Sequence, residues 1–319
     1  MRPRQTFLLA YLASGAAGLL YEVAWARLLT LYLGHSTAAV STVLAAFMGG
    51  LAAGAAMGGR VAPRLPSARA LRAYAALEIG VALLALLLPA SLQTARPILA
   101  AAYDPAQAGG LTFVLTRLAA SVFIIALPAA LMGATFPFAV RWYVRSPERA
   151  GRETGVLYAL NTVGAATGAA FTGFILLPQL GLRGTTMVGV ALNAIAAGIA
   201  WWVARREPLE APDAAPASPA ARKTPKGQAR AKATTFAPRP LAATAALALS
   251  GFIALTYEVA WTRLLALIIG PTTYAFGLML AAFIAGLAIG AILGARWATG
   301  DNPMARLGAT FVVDRKSVV

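Results

Sequence analysis

Cysteine is absent from the 319-residue chain, and histidine occurs once, as His35. The first absence excludes disulfides and thiolate metal sites. The second leaves a metal without the usual cluster of ligands, so no metal site is expected. His35 falls in a short turn between two apolar stretches and reads as a turn residue. Charge is scarce as well: charged residues make up 12% of the chain, and Asp104, Asp213, Asp301 and Asp314 all lie outside the apolar stretches. No Gly-x-Gly-x-x-Gly follows a strand pattern, no phosphate loop occurs, and no nucleophile has a base beside it. These absences exclude a catalytic site for group transfer within the chain, and no cofactor is expected to bind it. Short alternating segments are missing too, which excludes a transmembrane β-barrel.

What the chain has is apolar length. Hydrophobic residues reach 59%, beyond the ordinary soluble range. They gather in eight stretches long enough to cross a bilayer: residues 7–33, 38–59, 71–93, 111–140, 154–178, 185–204, 241–269 and 274–297. Backbone groups in hydrocarbon must bond internally, so each stretch is expected to be a helix. The first is too long for a signal core and holds Glu22 and Arg27, so it reads as a span and not a cleaved leader.

Basic residues choose the sides. Arg2 and Arg4 precede the first span; Arg60, Arg64, Arg69 and Arg72 fill the second connection; Arg141, Arg145, Arg149 and Arg152 fill the fourth. The third and fifth connections carry only Arg96 and Arg183 outside the spans. This asymmetry puts the amino terminus in the cytoplasm. It also accounts for most of the positive charge without a nucleic-acid partner. Residues 205–240 turn to Pro, Ala, Lys and Arg and read as a disordered cytoplasmic linker. Its Arg222, Lys223, Lys226, Arg230 and Lys232 either rest on anionic headgroups or form a solvated run that keeps the loop inside; the second reading is preferred.

One membrane hairpin is written twice. Residues 14–60 and 250–296 align without gaps at an offset of 236, with 26 identities in 47 positions. Tyr21-Glu22-Val23-Ala24-Trp25 recurs as Tyr257-Glu258-Val259-Ala260-Trp261. Six spans precede the linker, and an even number returns the chain to its starting side. The two copies therefore run parallel. The expected architecture is an all-α, polytopic membrane bundle: a six-helix half over 1–204, the linker over 205–240, and the first two helices of a parallel second half over 241–298. Residues 299–319 read as a cytoplasmic tail, with 314–319 an assembly artefact and the second half unfinished.

Each copy places a carboxylate inside the apolar span. Glu22 lies about 15 residues into its stretch, roughly 22 Å along a helix. An ionised carboxylate facing lipid at that depth costs several kcal/mol, so Glu22 and Glu258 should face the bundle interior, a cavity or a cationic partner. Tyr21 with Trp25, and Tyr257 with Trp261, are four residues apart and frame each glutamate. Arg27 and Arg263 follow by five residues, a poor spacing for a same-helix ion pair, so they pair elsewhere or reach the interface. Glu78 and Arg117 are further candidates for interhelical pairing. Either these groups line a pathway for a cationic small molecule, or they form ion pairs that set helix register. Gly50, Gly54 and Gly58 recur every four residues, and the second copy repeats them as Gly286, Gly290 and Gly294; such a stripe admits a close neighbouring helix. Pro128 and Pro137 should kink the fourth span. Asn161 needs a hydrogen-bond partner within the bundle, and Gly164 and Gly168 favour tight packing beside it.

Four blocks then carry a resemblance: SGxxGLxYEVxWxRLL from Ser14, AAFMGGLAAGAxxGGR from Ala45, LMGATFPF from Leu131, and LYALNTVGAATGAAFTGFILLPQLG from Leu157. They resemble the membrane part of bacterial fused major-facilitator/spermidine-synthase-like proteins, over most of residues 14–181 and again over 250–296. The resemblance implies a six-helix half of major-facilitator type in a bacterial cytoplasmic (inner) membrane. It also implies a following soluble aminopropyltransferase-like domain of Rossmann type, which takes a decarboxylated S-adenosylmethionine type of donor and a polyamine acceptor. No position here matches that domain's cofactor or acceptor motifs, so no catalytic residue is carried over. Three readings stay open: a membrane domain that anchors the enzyme and handles a polyamine or other cation, a stand-alone transporter, and a purely structural anchor. The partners implied are the lipid bilayer, a polyamine or other cationic small molecule, and the soluble domain.

Overall fold

A computed structural model describes residues 3–33, 37–103, 110–146, 149–207, 240–270 and 273–297. His35, nearly all of the 205–240 linker, and the tail from 299 lie outside the described residues. Among the described residues all regular structure is helical, in eight α-helices: α1 (Pro3–Leu33), α2 (Thr37–Val61), α3 (Ser67–Ala102), α4 (Gly110–Tyr143), α5 (Ala150–Phe171), α6 (Leu177–Arg206), α7 (Pro240–Ile269) and α8 (Thr273–Trp297). Six helical stretches are long and apolar enough to cross a membrane, and a shorter apolar helix covers Phe276–Leu287. Large apolar side chains line the outside, Phe123 among them at 83% exposure, as suits a surface facing lipid.

Helix ends differ from the sequence expectation where proline or glycine intervenes. α3 continues through Pro89 and Pro97 to Ala102, past the expected end at 93. α1 begins at Pro3, which moves Glu22 to about 28 Å along its helix. The stretch Ala150–Arg206 is 57 residues long, about 85 Å if straight and far more than one crossing needs. It is interrupted by a π-helical turn at Thr172–Leu176 and by Gly181, whose φ of 65° and ψ of −174° leave the helical region. Only glycine adopts that backbone readily. The chain reverses there. Arg145 donates its backbone N–H to Glu153 at the start of α5 and its side chain to Glu207 just past α6, so both ends sit at one face of the bundle.

Within the first six helices the principal packing pairs are α2 on α4, α1 on α5, α3 on α4, α1 on α6 and α3 on α6. Exchanging α1 with α4, α2 with α5 and α3 with α6 maps this set onto itself. The closest approaches obey the same exchange. A Cβ added at Gly54 of α2 would strike the Ala130 carbonyl of α4, and one at Gly133 of α4 would strike that of Leu51. Correspondingly, Cβ atoms at Gly164 and Gly168 of α5 would strike the Leu12 and Ala16 carbonyls of α1, and one at Gly15 that of Asn161. Backbone-to-backbone contact of this kind is what associates helices in hydrocarbon, where there is no water to expel from between them. α8 packs on α5, and α7 packs on α8.

The interior has two large apolar layers. One gathers Tyr21, Trp25, Leu29, Phe47, Leu88 and Ile125. The other gathers Phe7, Tyr11, Leu71, Tyr74, Phe138 and Trp142 toward the end that holds Arg4. A small third cluster joins Val23, Ala169, Met279 and Leu280, seating α8 against α1 and α5.

Candidate functional site

Glu22 and Glu258 are both buried, at 4% and 2% exposure. Neither oxygen of Glu22 has a hydrogen-bond partner among the described residues, nor has Oε1 of Glu258. The two carboxyl groups are near enough to act on each other electrostatically. The fold explains why. Val23, next to Glu22, packs on Met279 and Leu280 of α8, and α8 carries α7 behind it. The repeat thus puts both carboxylates on the side where the second hairpin meets the six-helix bundle.

The aromatic residues of the repeat do not share that place. Tyr21 and Trp25 stack on each other with ring centroids 5.0 Å apart, and Trp25 meets Phe47 edge-on at 6.2 Å. Both belong to the six-helix core, where the Tyr21 ring fills the space over Gly189 of α6. Tyr257 and Trp261 are instead 53% and 54% exposed. Arg27 is half-buried and Arg263 exposed; neither has an acidic partner among the described residues. The glycine stripes diverge in the same way. At Gly50 an added Cβ would lie 2.6 Å from the Ala126 carbonyl oxygen, and at Gly58 3.1 Å from that of Ala134. Gly286 and Gly290 face open space, and Gly294 lies within α8.

A second buried carboxyl has the partners that Glu22 lacks. Glu78 of α3 accepts a hydrogen bond from Ser14 Oγ of α1 at 2.5 Å and another from Asn193 Nδ2 of α6 at 2.6 Å. The Tyr74 hydroxyl lies beside both Ser14 and Glu78, and the hydroxyls of Tyr11 and Tyr21 lie within electrostatic reach. All of Glu78's hydrogen-bond donors are neutral. Sequence reasoning singled out Glu78 but neither Ser14 nor Asn193; an asparagine on an apolar helix was the signal available. Arg117 of α4 is buried with its guanidinium 5.6 Å from the Phe113 ring centre. Asn161 packs on Gly15 of α1.

At one end of the bundle a charged clasp holds four helices. Arg4 pairs with Glu153 at 2.9 Å, donates to the Tyr143 carbonyl at 2.6 Å, and lies 4.3 Å over the Tyr143 ring. Arg145 pairs with Glu207 at 2.8 Å. The hydrogen bond from Arg4, helped by the Arg145 backbone N–H, holds the Glu153 carboxyl below the usual carboxylate range. A cleft of about 460 Å³ opens beside the clasp, lined by Arg4, Tyr143, Arg145, Arg206 and Glu207 among others. Sequence reasoning used Arg4 and Arg145 only as markers of sidedness. Among the described residues no three His, Asp or Glu side chains converge as a metal site would require.

The chain is similar to three curated proteins described as polyamine aminopropyltransferases. They come from Mycobacterium tuberculosis strain CDC 1551 / Oshkosh, M. tuberculosis strain H37Rv and Mycobacterium bovis strain AF2122/97. Identity to each is 32% over 204 residues, which is 62% of this chain and 36% of the relative. The chain thus spans little more than a third of the length of the curated relatives it matches. No protein-family profile matches it, and no solved structure does.

Proposed function

We propose that this chain is the membrane domain of a polyamine aminopropyltransferase-like protein, and that Glu22 and Glu258 together receive a protonated amine. The similarity to polyamine aminopropyltransferases supports the first part. The observation that carries the second is the burial, within electrostatic reach of each other, of two repeat-related carboxylates short of hydrogen bonds. Two carboxyl groups brought together out of water cannot both ionise cheaply unless cationic charge comes between them. A polyamine offers two or more ammonium groups, each with donors for the idle oxygens. Cation–π support from Tyr21 and Trp25 is not part of this reading, because their faces are spent on each other, on Phe47 and on Gly189.

In this reading aminopropyl transfer belongs to a soluble domain joined to the membrane part, and the amino terminus and linker are cytoplasmic. The self-mapping of the packing pairs supports a six-helix half made of two three-helix units, as in major-facilitator halves, with α7 and α8 opening a parallel second half. The parallel repeat also favours a second reading, a transporter whose cation path runs where the second hairpin meets the six-helix bundle. Equilibrium binding of radiolabelled spermidine and putrescine to the protein in nanodiscs tests the proposal. Glu22→Gln and Glu258→Gln should each lower affinity at least about tenfold, the loss of a charge-assisted contact of about 1.5–3 kcal/mol. Unchanged binding in both folded variants would overturn it. Flux into proteoliposomes, with binding retained, separates the transporter from the anchor.

A further inference from the structure

We propose that Glu78 is a proton-binding site, built into the first six helices by Ser14 and Asn193. The inference does not depend on the Glu22–Glu258 reading. Three features carry it. Glu78 is 1% exposed, yet the donors that reach it, Ser14 and Asn193, are neutral. Its surroundings can serve either charge state. Hydroxyls both donate and accept, and an amide presents N–H or C=O according to which way it turns. The Tyr74 hydroxyl lies within hydrogen-bond reach of both Ser14 and Glu78, and Asn193 Oδ1 has no hydrogen-bond partner among the described residues. Both can re-pair when the carboxyl gains or loses a proton. A fixed cation would lock the group as a carboxylate; this cluster does not.

The groups facing Glu78 bear this out element by element. α1 contributes Tyr11 and Tyr21 besides Ser14, and α3 itself contributes Tyr74. α6 contributes only neutral Asn193, with no charged residue between Arg183 and Arg205. α4 has none between Arg117, which lies by Phe113, and Arg141, which donates to the Leu65 carbonyl. On α3 the flanking cations Arg72 and Arg96 are each more than one turn away.

The Ser14 oxygen is 2.5 Å from Glu78 Oε1, the spacing of a short O–H···O bond, so Ser14 already engages an oxygen that would carry the proton. The proton goes on and off a carboxyl oxygen as in any acid–base exchange. Tyr11 and Tyr74, with ring centroids 6.0 Å apart, stand between Glu78 and the Arg4 end of the bundle.

Infrared difference spectroscopy on the reconstituted full chain, with pH stepped in sodium-free and sodium-containing buffer, tests this. The expected result is a protonated-carboxyl carbonyl band that appears on acidification, vanishes reversibly, is lost in Glu78→Gln, and survives in Glu22→Gln and Glu258→Gln. Ser14→Ala and Asn193→Leu should move its frequency, which keeps the assignment testable if Glu78→Gln fails to fold. A band set unchanged in Glu78→Gln, or unmoved in both Ser14→Ala and Asn193→Leu, would overturn the proposal. So would a band abolished by sodium, which would make this a metal-cation site.

Discussion

Gly54 and Gly290 occupy the same position in the two copies of the repeat, and the same substitution should affect them oppositely. A Cβ at Gly54 meets the Ala130 carbonyl oxygen, with the carbonyl carbon at 2.6 Å and the Cα at 2.7 Å. These are backbone atoms, so no side chain can swing away. Ordinary contact begins at 3.4 Å and the carbonyl oxygen lies nearer than its carbon, so α2 and α4 must part by well over roughly 0.8 Å, a gap that forfeits about half or more of the dispersion energy along the seam. Overpacking of this kind costs about 1–3 kcal/mol, partly offset by up to about 1 kcal/mol of helix propensity gained from Gly→Ala. Gly54→Ala should therefore destabilise the bundle. At Gly290 an added Cβ meets nothing within 4 Å, so only the propensity gain remains. Reversible unfolding from mixed micelles, followed by fluorescence of buried Trp25 and Trp142, measures both. Equal destabilisation at the two positions, or none at Gly54, would refute the reasoning.

Gly181→Ala should cost about 1–3 kcal/mol through backbone strain alone, because its φ of 65° suits glycine and nothing crowds an added Cβ; the same unfolding assay reads it. Asn193→Leu strips a donor from buried Glu78 and should destabilise by about 1–3 kcal/mol. Asn161→Leu, which removes no hydrogen bond described here, should cost less in the same assay. Glu153 has a folded-state pKa below its unfolded one, so its contribution is complete above the unfolded value of about 4.3 and is lost as pH falls through the lower folded value. Arg4→Gln should lower stability at neutral pH and flatten that acid-side loss, which an unfolding series across acid pH would show.

Much of the architecture was legible because its causes are local. Eight apolar stretches became eight helices, since a backbone in hydrocarbon must satisfy itself. Boundaries were less legible. Pro97 resembles a stop, yet α3 continues past it, since a proline removes one hydrogen bond that neighbours or local adjustment can replace. The break near the start of α6 falls within the expected gap, at Gly181, but nothing in residues 172–176 announced a π-helical turn. The glutamates were legible as interior groups, because an ionised carboxylate in lipid is costly. That Glu22 would lie within electrostatic reach of Glu258, while Glu78 met Ser14 and Asn193, was not. Those pairings join residues 236, 64 and 115 positions apart.

The sequence by itself determined the helices, their apolar surfaces, the twice-written hairpin and the need to shelter three carboxyl groups. Tertiary structure alone decided what each copy of the repeat became. Tyr21 and Trp25 are core and Gly54 is a seam because α4, α5 and α6 surround that hairpin. Tyr257, Trp261 and Gly290 are exposed because theirs meets the bundle on one side, chiefly through α8 on α5 with α1 beside it. A residue's type sets what its burial is worth; only its neighbours set whether it is buried.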